Sequence, residues 1–523
     1  MTKGESAIRN PRSTIVWLLF AVAAIVVYFA GLTVPLLGPD EPRYAQVARE
    51  MFERGDWITP TLGGFHWFEK PALLYWLEIT SYSLFGVSEF SARLGSALFG
   101  LGTVASLWIL GRHIDRSLTK NEERTTNNLA NWLGLIAAST VGIIAFAHGA
   151  SFDIILTFPI TAALISFFIY DSQKRYAWLI SFYFFIGVSL LAKGLIGIVF
   201  PFAIVIFYHL LLWRFPTRTL IVSFLWGTLL AIGVACTWYL PMYLRHGWEF
   251  IDLFFVQHHF QRYTSNKYLH PQPFYFFFWV LPLMTIPWLP FFVASIWNLG
   301  KRVLTSGAVA EDDGQTEASR RSLIIFSLAW VSVPLVFFTF SGSKLPGYIL
   351  PGVPAAIILT AEYIDRFVRK SPWRVYAVQG MAAVTFVLVL VAIFMFVPSF
   401  AKLDSVKDLF ATADSSGYGD ASVLMLHRIA HNAEFYAPGR IVRDTEGKPK
   451  LLFGPAEVLR ELQLRRPKPV LVLVPIEYLN QLLNGDRLRA ELVNENSEFA
   501  LVAVGEKEND NANPRLQLAE LGP

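Results

Sequence analysis

The chain has 523 residues, 54% of them hydrophobic and only 16% charged, with a formal net charge of +4. Soluble domains carry about a quarter of their residues as charges, so this composition excludes an ordinary soluble enzyme and points to a polytopic membrane protein. The small net charge gives no reason to expect nucleic acid, and the single Cys236, inside an apolar run, permits no intramolecular disulfide.

Residues 1–13 are polar and carry Lys3, Arg9 and Arg12, which predicts a cytoplasmic N-terminus. The first apolar run, Ile15 to Leu37, is long enough to span and lacks a signal-peptide cleavage pattern. Directly after it stand Gly38-Pro39-Asp40-Glu41-Pro42-Arg43-Tyr44 and, further on, His66-Trp67-Phe68-Glu69-Lys70-Pro71. Charges at a membrane boundary cost free energy unless they are solvated, paired or used. Pro39 and Pro42 bracket the acidic pair, which predicts a fixed turn there rather than a helix interior. The loop 37–90 is therefore the expected catalytic floor. Within it, Ala45 to Arg54 and Ala72 to Phe85 read as short interfacial helices anchored by Trp57, Trp67, Tyr75 and Trp76.

Further apolar segments follow in order: Ala92–Leu110, Leu129–Ala147, Ile154–Tyr170, Trp178–Ala192, Leu195–Trp213, Leu220–Tyr243, Phe274–Trp297, Leu323–Phe340, Ile349–Tyr363 and Val375–Val397. Basic clusters such as Arg112 with Arg116, Lys301 with Arg302, and Arg366 with Arg369 all fall on one side of this arrangement, as the positive-inside tendency requires. Thr305 to Arg321 reads as a solvated cytoplasmic loop. From Ser399 the composition becomes that of a soluble domain. Ala421–Leu426, Pro469–Val474 and Phe499–Val504 read as strands, and Pro455–Leu464 and Ile476–Leu483 as helices. The expected architecture is an α-helical polytopic membrane protein, with a membrane domain over 1–398 and a small α/β domain over 399–523 outside the membrane.

Asp40, Glu41, Arg43, Glu69, Lys70, Asp153, Arg262, Lys344 and Tyr348 gather on the outer face from four loops. Carboxylates with several cations beside a lipid-facing bundle suit one chemistry. Lys and Arg hold a lipid phosphate and stabilise it as a leaving group, while a carboxylate orients or deprotonates an acceptor. Each residue has a plainer reading. Asp40, Glu41 and Asp153 suit helix N-termini, Glu69 and Lys70 suit a mutual pair, and Arg262 and Lys344 suit lipid head groups. Lys193, between two short segments, has no assigned role beyond reaching outward. Glu69 with His258 or His259 is a candidate divalent-metal set. A transporter or lipid-linked sugar flippase would place its charges at mid-membrane and repeat its halves; here the charges cluster in outer loops and no halves repeat.

The motifs Asp40-Glu41-Pro42-Arg43-Tyr44, Phe68-Glu69-Lys70-Pro71, Asp153 and Lys344-Leu345-Pro346-Gly347-Tyr348-Ile349-Leu350-Pro351 resemble the bacterial lipid A aminoarabinose transferases. These belong to the wider GT-C glycosyltransferases that include the protein O-mannosyltransferases. The resemblance implies about 11–13 transmembrane helices with periplasmic interfacial helices and a small periplasmic domain, in a bacterial inner membrane. It implies an inverting transfer from a polyprenyl (undecaprenyl) phosphate sugar donor, such as a 4-amino-4-deoxy-L-arabinose donor, to lipid A or a related glycolipid. Protein Ser/Thr hydroxyls are the alternative acceptor. By motif it implies that Asp40 is the catalytic carboxylate, beside Glu41, with Asp153 a second essential acid. Lys70 and Arg262 would hold the donor phosphate, with Arg43, Lys344 and Tyr348 near it and Glu69 an accessory site residue. The soluble domain matches only loosely.

Overall fold

The computed structural model describes residues 11–119, 128–261, 271–305, 315–465, 467–485 and 487–507. The chain divides into two compact units, one of residues 1–34, 47–61 and 66–396, the other of residues 35–46, 62–65 and 397–523.

The first unit is helical: α1 (Pro11–Phe29), the later part of α2 (Asp40–Arg54), α3 (Leu73–Phe85), α4 (Glu89–Thr119), α5 (Leu129–Ala138), α6 (Val141–Ala147), α7 (Phe152–Gln173), α8 (Tyr176–Lys193), α9 (Ile196–Leu211) and α10 (Arg218–Ile251) come first. Helices Phe276–Met284, Leu289–Thr305, Gln315–Thr339, Val353–Val368 and Pro372–Val391 complete it. Among the described residues seven helices are long and apolar enough to cross a membrane, two bent pairs pass the same test together, and α1 and α9 are shorter apolar helices. Each of the eleven apolar segments read from the sequence falls on one of these. That correspondence is expected in lipid, where a spanning segment must satisfy its backbone within itself. α1 stops at Phe29 because Gly31 turns left-handed (φ 71°), and Arg93 then takes the freed carbonyls of Leu32 (3.1 Å) and Val34.

The two bent pairs, α5 with α6 (54°) and Phe276–Met284 with Leu289–Lys301 (119°), were expected as single continuous spans. They break where Ser139 and Thr140 turn their hydroxyls back onto Leu135 and Ile136, and around Pro282 and Pro287. The breaks satisfy one another: Val141 N–H donates to the Ile286 carbonyl (2.8 Å), and Trp288 Nε1 donates to Ser139 Oγ (3.2 Å). Gly142 admits this approach, since a Cβ there would lie 2.6 Å from the Met284 carbonyl oxygen.

The stretch expected as a solvated loop over Thr305–Arg321 is partly helical: residues 306–314 lie outside the described residues, but Gln315 already opens a helix. Arg320 explains this extension. It is buried (6%) and donates to Glu362 (3.1 Å) and Asp365 (2.9 Å), which Arg366 and Arg369 also contact. Two buried carboxylates need such partners, and the helix must start early to supply one.

The two-residue strands β1 (Thr61–Leu62) and β2 (Phe65–His66) come first in the chain; in the second unit β3 (Ser422–Leu426), β4 (Leu451–Leu452) and β5 (Val470–Pro475) are parallel, while β6 (Leu488–Glu495) and β7 (Phe499–Glu506) continue the sheet antiparallel in the order β4-β3-β5-β7-β6. Register pairs Ser422 with Val470 and Val472 with Val502. Alternate residues of β3 and β5 enter two cores, one with Val423 and Leu471 under Leu409 and Phe410, the other with Leu424 and Val472 under Val458 and Leu462. Burial on both faces is what makes β5 read as an unbroken apolar run. Helices Val397–Asp404 and Lys407–Ala413 lead into this unit.

Candidate active site

Asp153 opens α7. The helix start is capped by Ser151, whose Oγ accepts from Asp153 N–H (3.2 Å), so the Asp153 carboxylate is left for other work. It forms an ion pair with Lys193, the last residue of α8, with side chains 19% and 16% exposed respectively. Gly194 (φ 74°) ends α8 at that point, and a cation there suits the helix C-terminus. The Lys193 ammonium also lies over the ring of Tyr348, 5.0 Å from its centroid.

Tyr348 belongs to the 3-10 segment Pro346–Gly352. Gly347 in that segment is pressed against the same carboxylate: a Cβ there would stand 1.9 Å from Asp153 Oδ2 and 2.8 Å from the Phe146 ring. Any side chain at 347 would collide, so glycine is what lets the two motifs meet. Lys344, buried at 7% exposure, donates from Nζ to the Ser341 carbonyl (2.7 Å), which fixes the turn before Pro346. Three of the expected residues, Asp153, Lys344 and Tyr348, thus come from two packed segments. The sequence reading missed Lys193, although a lysine amid apolar segments is itself a signal for a buried partner.

Glu69 and Lys70 are half-buried and directly follow Phe68, which packs in a cluster with Trp238, Met242 and Phe250. The loop that carries them is moored at several points. Trp76 Nε1 donates to the Trp57 carbonyl (2.7 Å), Trp238 Nε1 to the Ile58 carbonyl (2.8 Å), and Arg245 to Asp56 (2.8 Å). Burial alone would raise the Asp56 pKa, but N–H donors from Ile58 and Thr59 and the Arg245 guanidinium hold it below the usual carboxylate range. Arg262 lies outside the described residues, as does the side chain of His259.

Among the described residues, the group able to offer three metal ligands is His66, His246 and Glu249, with ligand atoms all within 4.8 Å of one another, rather than Glu69 with His258. His66 Nδ1 is 3.1 Å from Glu249 Oε1, and His246 Nε2 is 2.9 Å from Thr59 Oγ1, an orienting contact of the kind metal-bound imidazoles use. Gly247 (φ 56°) kinks α10 between its two members. Two imidazoles and a carboxylate suit a zinc-like divalent ion.

In the second unit, Asp40 and Glu41 form the first turn of α2, with Pro42 after them. The expected turn is a helix start, which proline tolerates because its missing N–H would be unpaired there anyway. Asp40 pairs with Arg43, whose Nε also donates to the Pro39 carbonyl (2.8 Å), and the Asp40 side chain stays 54% exposed. Glu41 is buried and accepts from Leu37 N–H (2.9 Å), which ties the preceding turn to the helix start. Glu41 thus holds the approach to the helix, while Asp40 keeps an accessible carboxylate. Asp404 Oδ2 accepts from Gly38 N–H (3.1 Å) and Tyr436 Oη from Leu36 N–H (2.8 Å), tying down the turn before the helix. His431 feels the same pair: burial first, and then the Arg43 charge, hold its pKa below the usual imidazole value, against the pull of Asp40. Neither Asp404 nor His431 carries a sequence motif that would have singled it out.

Residues 13–255 match the family model described as dolichyl-phosphate-mannose-protein mannosyltransferase. The chain is 28% identical over 369 residues to the undecaprenyl phosphate-alpha-4-amino-4-deoxy-L-arabinose arabinosyl transferase of Serratia proteamaculans, a match covering 70% of this chain and 62% of that protein. It is 30% identical over 356 residues to an uncharacterized protein of Aquifex aeolicus, covering 67% of this chain and 64% of that one. These matches span less than two thirds of either relative. Among solved structures, ArnT from Cupriavidus metallidurans bound to undecaprenyl phosphate superposes with a TM-score of 0.75 at 22% identity, over 94% of this chain and 98% of that one. The fold is thus that of a multi-pass membrane protein of this type.

Proposed function

We propose that this chain, a relative of the ArnT-like GT-C glycosyltransferases, is an inverting membrane glycosyltransferase that moves a sugar from a polyprenyl-phosphate donor to a lipid acceptor. The observation that carries the reading is the packing of Gly347 onto Asp153 beside Lys193 and Tyr348, which joins two of the motifs expected to serve donor transfer. The donor is an undecaprenyl-phosphate sugar and the acceptor lipid A or a related glycolipid, the enzyme lying in a bacterial inner membrane with its outer loops and soluble unit in the periplasm.

In this reaction the bond from the anomeric carbon to the donor phosphate breaks, and a new bond to the acceptor oxygen forms on the opposite face. Lys70 and Arg262 hold the phosphate as charge builds on it, and Tyr348 and Lys344 complete its surroundings. Asp153 sets the position of Lys193. Asp40 orients the acceptor; an ionised lipid phosphate needs no deprotonation, whereas a hydroxyl acceptor would give its proton to that carboxylate. The match to the protein mannosyltransferase model favours protein hydroxyls as the second reading.

The test is mass spectrometry of lipid A and outer lipids from cells lacking the protein, containing it, or containing Asp40→Asn. A sugar-sized mass increment is expected only with the intact protein, with the variant still folded and inserted. An increment on glycoproteins instead would move the acceptor to protein. An increment that survives Asp40→Asn would remove that residue from its assigned role.

A further inference from the structure

The carboxyl ends of the three parallel strands of the second unit carry an aromatic group that sugar transfer does not use. β3 runs into His427, β4 into Phe453, and β5 through the 3-10 turn Ile476–Tyr478 into Tyr478. The His427 and Tyr478 rings stack with centroids 4.0 Å apart and planes at 30°. Phe453 stands edge-on to His427 at 6.1 Å and is itself 61% exposed, a large apolar ring left at the open end of the sheet. His427 Nε2 lies 2.9 Å from Gln481 Oε1.

Two features of the backbone mark this edge. His427 has φ 59°, in the left-handed region that L side chains rarely adopt, and its N–H is held by the Leu452 carbonyl at 2.8 Å. Strain of that kind persists where the surroundings over-determine it, and it clusters at functional sites. The connections also diverge. After β3 the chain passes over one face of the sheet, packing Ala433 and Ala437 with Val423. After β4 and β5 it passes over the other, packing Val458 and Leu482 with Leu424. Adjacent parallel strands whose connections leave to opposite faces form the crevice in which open α/β sheets bind ligands, outside their carboxyl ends.

The chemistry of the rim sets the ligand class. Arg428 is engaged by Glu498 (2.8 Å), and Glu457 accepts from Phe453 N–H (2.6 Å), so these charges are committed within the protein. Phe453 is exposed, the half-buried His427 and Tyr478 rings stand behind it, and the exposed Gln481 amide bonds His427. Aromatic rings receive the C–H face of a sugar, and an amide and a hydroxyl can bond its hydroxyl groups. We propose that the aromatic edge formed by Phe453, His427 and Tyr478 binds a neutral saccharide, using none of the residues assigned to transfer.

Saturation-transfer NMR on the full-length protein in detergent tests this, with methyl α-D-mannopyranoside and methyl β-L-arabinopyranoside as neutral probes and glucose 1-phosphate as the anionic one. The variants are His427→Gly, Phe453→Ala and Asp153→Asn. Glycine adopts φ 59° without strain, so His427→Gly removes the ring and should unfold no earlier than the wild type. Ring C–H signals from a neutral glycoside are expected with wild type and Asp153→Asn, with binding about tenfold weaker in His427→Gly and Phe453→Ala. Absence of signal from both neutral glycosides overturns the proposal, as does equal binding by all four proteins, loss only in Asp153→Asn, or preference for glucose 1-phosphate. Each of these outcomes leaves the transferase reading standing or falling on the lipid A measurement alone.

Discussion

Lys193 shows how a residue can be visible in a sequence and still not be understood from it. Its position among apolar segments was plain, but the partner that gives it meaning, Asp153, lies on the preceding helix, and no spacing rule connects them. The same holds for Asp40 and Glu41, adjacent in the chain yet opposite in exposure once a helix starts at Asp40. Removing one member of a largely buried ion pair leaves the other charge uncompensated, which costs more than losing both. Lys193→Met should therefore destabilise the protein by about 2 kcal/mol, less than a fully buried pair because both side chains are partly exposed. The double variant Asp153→Asn/Lys193→Met should recover part of that loss in thermal unfolding, while sugar transfer stays absent in both. Additive destabilisation in the double variant would mean the two side chains are not coupled.

At the level of elements, the 3-10 segment Pro346–Gly352 depends on Gly347 for its approach to α7. Gly347→Ala should cost about 2 kcal/mol by overpacking and abolish transfer. Wild-type activity in Gly347→Ala would show that the segment can move away without consequence. The helix Pro455–Leu464 carries a different sensitivity. Burial alone would raise the Glu461 pKa, but Lys450 (2.5 Å) and Arg465 hold its carboxylate below the usual carboxylate range. A depressed carboxylate contributes stability above its unfolded pKa and loses it as pH falls through the folded value. Thermal unfolding followed downward from pH 5 should accordingly show a steeper fall for wild type than for Glu461→Gln, and parallel curves would deny the linkage. Two strands hidden from sequence reading offer no period to read. β6 is an edge strand, polar and largely exposed, so alternation is weak. β4 has two residues, too few for any period. The strands that were legible, β3, β5 and β7, are those buried on both faces.

Across the whole molecule the apolar segments were legible because lipid leaves the backbone few choices, whereas the breaks inside two of them depend on tertiary partners that hydropathy does not register. The orientation deduced from the basic clusters has a direct test. In a Cys236→Ser background, Glu446→Cys on the soluble unit should react with an impermeant maleimide added to spheroplasts. Arg116→Cys, at the far end of α4, should react only after permeabilisation. Reversed labelling would invert the topology and with it the periplasmic assignment. The paired breaks at Ser139–Val141 and Ile286–Trp288 also bear on how the protein is made. The indole that bonds Ser139 is translated 149 positions later. At about 5–20 residues per second this is a delay on the order of ten seconds. Throughout it the nascent α5–α6 bent pair must hold an unmet backbone donor at Val141, a burden of several kcal/mol if exposed to lipid. That burden favours retention of the early segments beside the insertion machinery, or a temporary stand-in partner, until the second broken pair emerges to relieve them.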